Sequence, residues 1–364
     1  MARIYIHFVP NLSSGGAETF LLRLIQELPG HHTIVTFWRD KGCYYEIIPD
    51  NANHISINPL RFRFWNLFLL YVKLQRLSSV DRVFSWLYMS DFIASTLWLL
   101  SFSKFKLVWN IRNTIVNRNQ YSLFSVFCFH ISRTILNKIP SAVAYNSFIS
   151  LEQHLQLGYP KSNSVVIYNG YKDYSTTANS NLQLPTNGFN ISCVARLHPQ
   201  KNHRFLFESL SLCLDIPFEI HFVGLHMSYS NSSLISTLDK YIKGRYHLYG
   251  VRNQPFVHDL FALSDLSILA SKYGEAFPNV VAESMLQGCY PICFDVGDAR
   301  KIVAEHGSCI PLETSQYEFS CLIRHLYHEM QEKPLPWTLQ RSKRSEYAHS
   351  NFSLTSSAEA FSLL

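Results

Sequence analysis

Short apolar runs alternate with amphipathic stretches along the whole chain. Runs that read as strands occupy residues 4–9, 33–37, 82–85, 106–110 and 142–145 in the first half. The second half adds 165–168, 190–195, 218–223, 247–249, 266–269 and 291–294. Between them apolar positions recur at helical spacing, as over residues 19–28, which Pro29 and Gly30 close. This alternation predicts an α/β protein with parallel sheets. Residues 171–187 are rich in Ser, Thr and Asn and poor in apolar side chains, so they mark a linker. The expected organisation is a Rossmann-like first domain over 1–170, a linker over 171–188, and a second Rossmann-like domain over 189–340. Residues 341–364 form a C-terminal helix placed to pack back on the first domain. Two doubly wound sheets facing each other across a cleft would bind ligands beyond the carboxyl ends of their strands.

Composition narrows the class. With 47% hydrophobic and 16% charged residues in 364, the chain has the apolar material for two cores and is neither disordered nor fibrous. The eight cysteines form no CxxC pair; Cys289 and Cys293 are four apart with no second pair to complete a zinc site. Buried thiols in a reduced, cytoplasmic protein are the expectation. Residues 4–9 are too short for a signal peptide's apolar region.

Charge is uneven. Residues 1–165 carry 16 Lys and Arg against 8 Asp and Glu, a balance of +8; the remainder carries 16 against 18, a balance of −2. A basic half points to an anionic partner, although so diffuse an excess is also what a solvated surface shows. Three apolar stretches, 62–72, 83–103 and 121–131, are interrupted or too short for a span of about 20 residues. The first mixes Arg61, Arg63, Lys73 and Arg76 with Phe62, Phe64, Trp65, Phe68 and Tyr71. That mixture suits a helix in an anionic membrane interface, or an amphipathic helix packed on a sheet.

Four motifs carry candidate chemistry. Ser13-Ser14-Gly15-Gly16-Ala17-Glu18 follows the first strand; glycines and a helix start let backbone N–H groups approach an anion or a sugar. It is neither a Walker A loop nor GxGxxG, and Gly-Gly between strand and helix is more often a plain tight turn. Glu18 in the first helical turn also complements the helix dipole. Arg196 and Lys201 share one loop after a strand and could hold a diphosphate, as a fork and a point charge, although for a random pair two solvated loop cations are the commoner case. Glu275 precedes a helix that Pro278 opens and Gly288 closes, and Glu283 lies on it. That helix start, at Asn279–Val281, offers free N–H groups to phosphate or hydroxyl oxygens. Tyr168-Asn169-Gly170 is a strand end followed by a turn.

In this order the motifs resemble glycosyltransferase family 4, the retaining nucleotide-sugar transferases of GT-B fold found in polysaccharide and lipopolysaccharide synthesis. Glu275 and Glu283 match that family's Glu-x7-Glu signature, with Phe277, Pro278 and Asn279 inside it; the resemblance is strongest over residues 165–303. It implies that Arg196 and Lys201 neutralise the departing diphosphate and that Glu283 binds the ribose. It also implies that Glu275 binds the donor sugar and that Ala276, Phe277, Pro278, Asn279 and Val280 contact sugar and phosphate. Gly15 and Gly16 would approach the phosphates from the first domain. Such transfer works by electrostatic preorganisation and needs no metal; no Asp-x-Asp is present. The family places a His in the first domain near the reacting sugar; here Asn110 and Arg112 are the candidates, alongside Glu18, for the acceptor side. The remaining histidines are scattered, and most of them read as surface residues. The expected enzyme is a hexosyl- or N-acetylhexosaminyltransferase acting on a saccharide or lipid-linked acceptor at the cytoplasmic membrane face. The rival readings are a nucleotide-sugar epimerase of the same fold and a basic nucleic-acid-binding protein, against which the dispersed cations speak.

Overall fold

β1 (Ile4–Val9) is buried almost throughout, as a strand covered on both faces must be. Its side chains alternate: Tyr5 and Val9 join one apolar cluster, Ile6 and Phe8 the other. The computed structural model describes residues 3–12, 15–37, 47–57, 80–102, 105–115, 122–172, 182–185 and 188–364. The chain divides into two units, Met1–Lys172 with Phe352–Leu364, and Asp173–Asn351.

In the first unit, α1 (Gly16–Glu27) follows β1, and β2 (His31–Thr36), β3 (Ala52–Ser56) and β4 (Arg82–Trp86) come next. Then come α2 (Tyr88–Leu100), β5 (Lys106–Ile111), α3 (Leu123–Ile131), β6 (Ala142–Tyr145), α4 (Phe148–Gln156) and β7 (Ser164–Val166). The strands form one parallel sheet of order β3-β2-β1-β4-β5-β6-β7.

The second unit repeats the plan. β8 (Phe189–Val194), α5 (His203–Ser211), β9 (Phe218–Val223), α6 (Ser232–Ile242) and β10 (Tyr246–Leu248) are followed by α7 (Gln254–Leu263) and β11 (Leu266–Leu269). α8 (Asn279–Leu286), β12 (Tyr290–Phe294), α9 (Ala299–Val303), β13 (Ser308–Ile310), α10 (Gln316–Glu332) and α11 (Pro334–Asn351) complete it. Its parallel sheet has the order β10-β9-β8-β11-β12-β13. Both sheets are doubly wound and Rossmann-like, as the alternating pattern predicts.

The chain then returns to the first unit as α12 (Leu354–Leu363). The return starts at Phe352, not at 341. Residues 334–351 form one helix bound to the second unit: Arg341 donates to the Ser264 carbonyl at 2.7 Å, and Arg344 to those of Gly288 and His306, each at 2.6 Å. α12 buries Leu354, Ala358 and Phe361. Phe361 stacks on Trp86 and meets Phe20 and Phe84. Arg3 and Arg82 donate to the Ser362 carbonyl. Gly170 explains the Tyr168-Asn169-Gly170 turn: a Cβ there would lie 2.5 Å from the Leu354 Cα, so only glycine lets the return segment pass.

Two strands escape the hydrophobic pattern. β3 and β13 are edge strands, and neither holds a fully buried side chain. Most of the 16 histidines lie outside the core, as expected; the six buried ones are His7, His32, His154, His203, His221 and His258. The described cysteines are all free, five of them buried. No helix among the described residues is long and apolar enough to cross a membrane. The interfacial segment expected over residues 61–76 lies outside the described residues.

Candidate active site

The strand order of the second sheet reverses between β8 and β11. At such a switch point the loops leaving the two strands part and open a crevice at their carboxyl ends. One of these loops carries Arg196 and Lys201, and the other carries Glu275.

The first loop leaves β8 through Ala195 and ends in a 3-10 turn, Pro199–Lys201, whose start is capped by the His198 ring accepting from the Gln200 N–H. Asn202 takes a left-handed conformation, φ 51, to start α5. The turn aims Lys201 at the second loop, and its Nζ lies 2.5 Å from Oε1 of Glu275. Ser271 donates to the same oxygen at 2.8 Å. The Lys272 N–H donates to the Gln200 carbonyl at 3.2 Å, tying the loops by their backbones. Sequence placed Lys201 on phosphate and Glu275 on sugar; the structure joins the two directly. Arg196 is exposed at the start of its loop and makes no ion pair among the described residues.

The second loop is braced from behind. Gly297 has φ +62, and a Cβ on it would fall 2.4 Å from the Ala276 carbonyl and 2.5 Å from that of Glu275. The Asp298 N–H donates to the Ala276 carbonyl at 2.9 Å. Ala276, Phe277 and Pro278 are buried, while Asn279 and Val280 are half-buried. Pro278 is the N-cap of α8, which starts with no side-chain cap, and the Val281 N–H turns back on the Pro278 carbonyl at 3.0 Å. Asn279 and Glu283, four apart, share a helix face, and Glu283 is buried. Gly288 follows the C-cap Gln287 with φ 73, as a helix end prefers. Ser271, Gln200 and Gly297 fall within or beside the sequence motifs without a role read for them, and Asp298 had no signal in the sequence.

In the first unit the switch point lies between β1 and β4. Ser13 and Ser14 lie outside the described residues. Gly15 is the extended N-cap of α1 (φ −157), so its conformation does not demand glycine. The space a Cβ would take is filled by the Glu18 carboxylate, with Oε2 at 2.2 Å from that position. Glu18 thus covers the end of α1, where an anionic ligand would approach, and burial raises its pKa. After β4 comes Leu87 at φ 70, an uncommon conformation for a branched residue. Its N–H is held by the Asn110 carbonyl at 3.2 Å. Strain of this sort concentrates at ligand sites.

The two candidates on β5 and just beyond it differ. Arg112 is enclosed: its Nη1 donates to the Ile167 carbonyl at 2.9 Å and to Oδ1 of Asn169 at 3.2 Å. Its guanidinium lies over Phe20, Trp86 and Phe361, and burial lowers its pKa to about 9. Asn110 is fully buried, and neither amide atom has a hydrogen-bond partner among the described residues. Arg112 braces α12 against the sheet, with its Nε and Nη2 unpartnered among the described residues, and Asn110 has both amide atoms unused.

Residues 188–329, the greater part of the second unit, match a family model. That family is the glycosyl transferases group 1. No curated protein sequence matches the chain. Among solved structures, the glycosyl transferase match is accompanied by fold likeness over the whole length. Anabaena Alr3699/HepE in complex with UDP superposes with a TM-score of 0.79 at 18% identity, over 100% of this chain and 98% of that one. A glycosyltransferase from Rickettsia africae gives 0.77 at 19% identity over 99% and 96%. The lipopolysaccharide outer core galactosyltransferase WaaB gives 0.73 at 15% identity over 100% of both. These likenesses establish the GT-B fold, two parallel-sheet Rossmann-like domains.

Proposed function

We propose that this chain is a retaining glycosyltransferase that moves a sugar from a nucleotide diphosphate donor to a saccharide acceptor. The observation that carries this reading is the Lys201–Glu275 pair at the β8/β11 switch point, inside the segment that matches the glycosyl transferases. The complexes of HepE with UDP and with UDP-glucose support a uridine diphosphate sugar as the donor class.

The pair suits donor binding. A diphosphate has more negative charge than one carboxylate, and it draws the Lys201 ammonium away from Glu275. Glu275, still held by Ser271, then accepts hydrogen bonds from the donor sugar hydroxyls. Arg196 adds a second cation from the same loop, and the start of α8 adds the positive end of its dipole. Glu283 takes the ribose. As the bond from the anomeric carbon to the diphosphate breaks, the charge growing on the diphosphate meets groups already in place. These groups supply the positive charge without a metal. On the acceptor side Asn110 is the better stand-in for the family's histidine, because Arg112 is committed to its aromatic cage. The acceptor is a lipid-linked saccharide of cell-surface polysaccharide or lipopolysaccharide synthesis, a class to which the WaaB description also belongs. The enzyme works at the cytoplasmic face of a membrane.

The test is a panel of radiolabelled nucleotide sugars, with and without lipid extract, analysed by chromatography. Donor consumption that needs the extract, with label in a lipid-soluble product of unchanged anomeric configuration, is the expected result. A changed sugar identity without acceptor overturns transfer in favour of epimerisation.

A further inference from the structure

α2 and α3 lie side by side on one face of the first sheet, joined by the edge-on rings of Phe92 and Phe127. Their outer surface is apolar to an extent unusual for a helix pair in water. Leu100, Phe102, Leu123, Phe124, Phe127 and Ile135 are all exposed, Phe102 at 85% and Leu123 at 87%. The reason lies in the sequence of α3: LFSVFCFHI has apolar residues around nearly its whole circumference, so burying one face leaves Leu123, Phe124 and Phe127 outside. Phe124 and Phe127 stack with centroids 6.4 Å apart, and an exposed apolar surface of this kind marks an interaction site.

Charge says what covers it. Residues 92–151, which include most of α2 and all of α3, contain no Asp or Glu. They contain Lys104, Lys106, Arg112, Arg118, Arg133 and Lys138. Arg112 is buried, but Lys106 and Lys138 are exposed. A stretch of 60 residues with cations and no carboxylate is unsuited to a mixed-charge protein surface and suited to a uniformly anionic one. Aromatic side chains with basic neighbours enter the boundary between headgroups and acyl chains, and anionic lipid attracts the cations.

We propose that the α2–α3 surface docks the first unit on an anionic lipid bilayer, with Phe102, Leu123 and Phe124 inserted at the headgroup boundary. The inference deepens the reading of a membrane-presented acceptor and rests on it for its purpose, but its physical content is independent of turnover.

Flotation of the full chain with vesicles of phosphatidylcholine and phosphatidylglycerol in equal parts tests it. At low ionic strength the wild type floats, and high salt or vesicles of phosphatidylcholine alone reduce flotation at least about tenfold. The triple variant Phe102→Ser, Leu123→Ser, Phe124→Ser loses flotation by about the same factor while keeping its circular dichroism and its UDP affinity, since all three side chains are at the surface. Leu335→Ser with Leu339→Ser, equally exposed leucines on α11, floats like the wild type. A wild type that stays with the soluble fraction overturns the proposal, as does a triple variant that floats unchanged or equal binding to uncharged vesicles. A dimer without lipid that the triple variant dissolves, with no flotation, overturns it in favour of self-association. None of these outcomes touches the transferase reading, which the donor assay decides separately.

Discussion

Oε1 of Glu275 accepts from both Lys201, at 2.5 Å, and Ser271, at 2.8 Å. One carboxylate oxygen thus joins the two loops that frame the β8/β11 switch point. A partly exposed ion pair of this kind adds only about 0.2–1 kcal/mol to stability, so its place at the switch point suits ligand chemistry more than folding. Lys201→Ala is accordingly expected to cost about 100–1,000-fold in kcat, the range for losing one preorganised donor to a developing charge. Its unfolding free energy should change by less than about 1 kcal/mol. Steady-state kinetics beside urea unfolding decide this; a mutant with normal kcat removes Lys201 from the diphosphate.

Glu283→Gln and Glu275→Gln separate the two carboxylates. The ribose is unchanged during reaction, so losing its partner weakens ground and transition states alike. Calorimetry with free UDP should show the larger loss for Glu283→Gln, and sugar discrimination the larger loss for Glu275→Gln. The reverse order in UDP affinity means the roles are exchanged.

Turnover should persist in EDTA. Lys201, Arg196 and the start of α8 supply the positive charge. Activity abolished by the chelator and restored by magnesium or manganese contradicts that arrangement.

Gly297→Ala should disturb the site from behind. Both its left-handed φ and the carbonyls of Glu275 and Ala276 oppose a Cβ. A loss of about 1–3 kcal/mol in stability is expected, with a further fall in kcat as the loop of Glu275 shifts. Gly15→Ala makes the comparison, because the atom it would meet is the far end of the Glu18 side chain.

Beneath the first sheet a chain of rings fixes its own tautomers. The Leu28 carbonyl can only accept, so Nε2 of His32, 2.9 Å away, bears a hydrogen and its Nδ1 accepts. His7 Nε2 therefore donates to it at 3.0 Å, and His7 Nδ1 accepts from the Trp86 indole. Burial lowers both pKa values from 6.5, that of His7 strongly. The unfolded chain therefore takes up protons that the folded one refuses, and stability falls as pH drops below about 6.5. Asp91, whose pKa burial raises, opposes this by favouring the folded state at low pH. His7→Phe should flatten the slope of urea midpoint against pH between neutrality and pH 5; an unchanged slope refutes the pair's role.

The sequence revealed what depends on periodicity and spacing. The parallel strands, both domains and the order of the four motifs follow from apolar runs and from Pro and Gly at helix ends. β3 and β13 were hidden because an edge strand needs little apolar surface. Ser271 was hidden because a serine after a strand has no pattern of its own until Glu275 is placed against it. The buried histidines were hidden too: His7 stands where an alternating strand calls for an apolar side chain, and only His32 across the ladder makes it tolerable. Arg112 was legible as unusual, but its aromatic cage draws on Phe361, 249 residues later.

That last contact orders events during synthesis. The sheet of β1–β7 is made first, yet the residues that close one of its faces, Leu354 to Phe361, leave the ribosome only after all of β8–β13. The second unit holds every strand and helix of its own core within one uninterrupted segment and can fold while it emerges. The first unit must wait, with Phe20, Phe84 and Trp86 uncovered, until its younger neighbour is complete. The half of the protein that is translated earliest is therefore finished last.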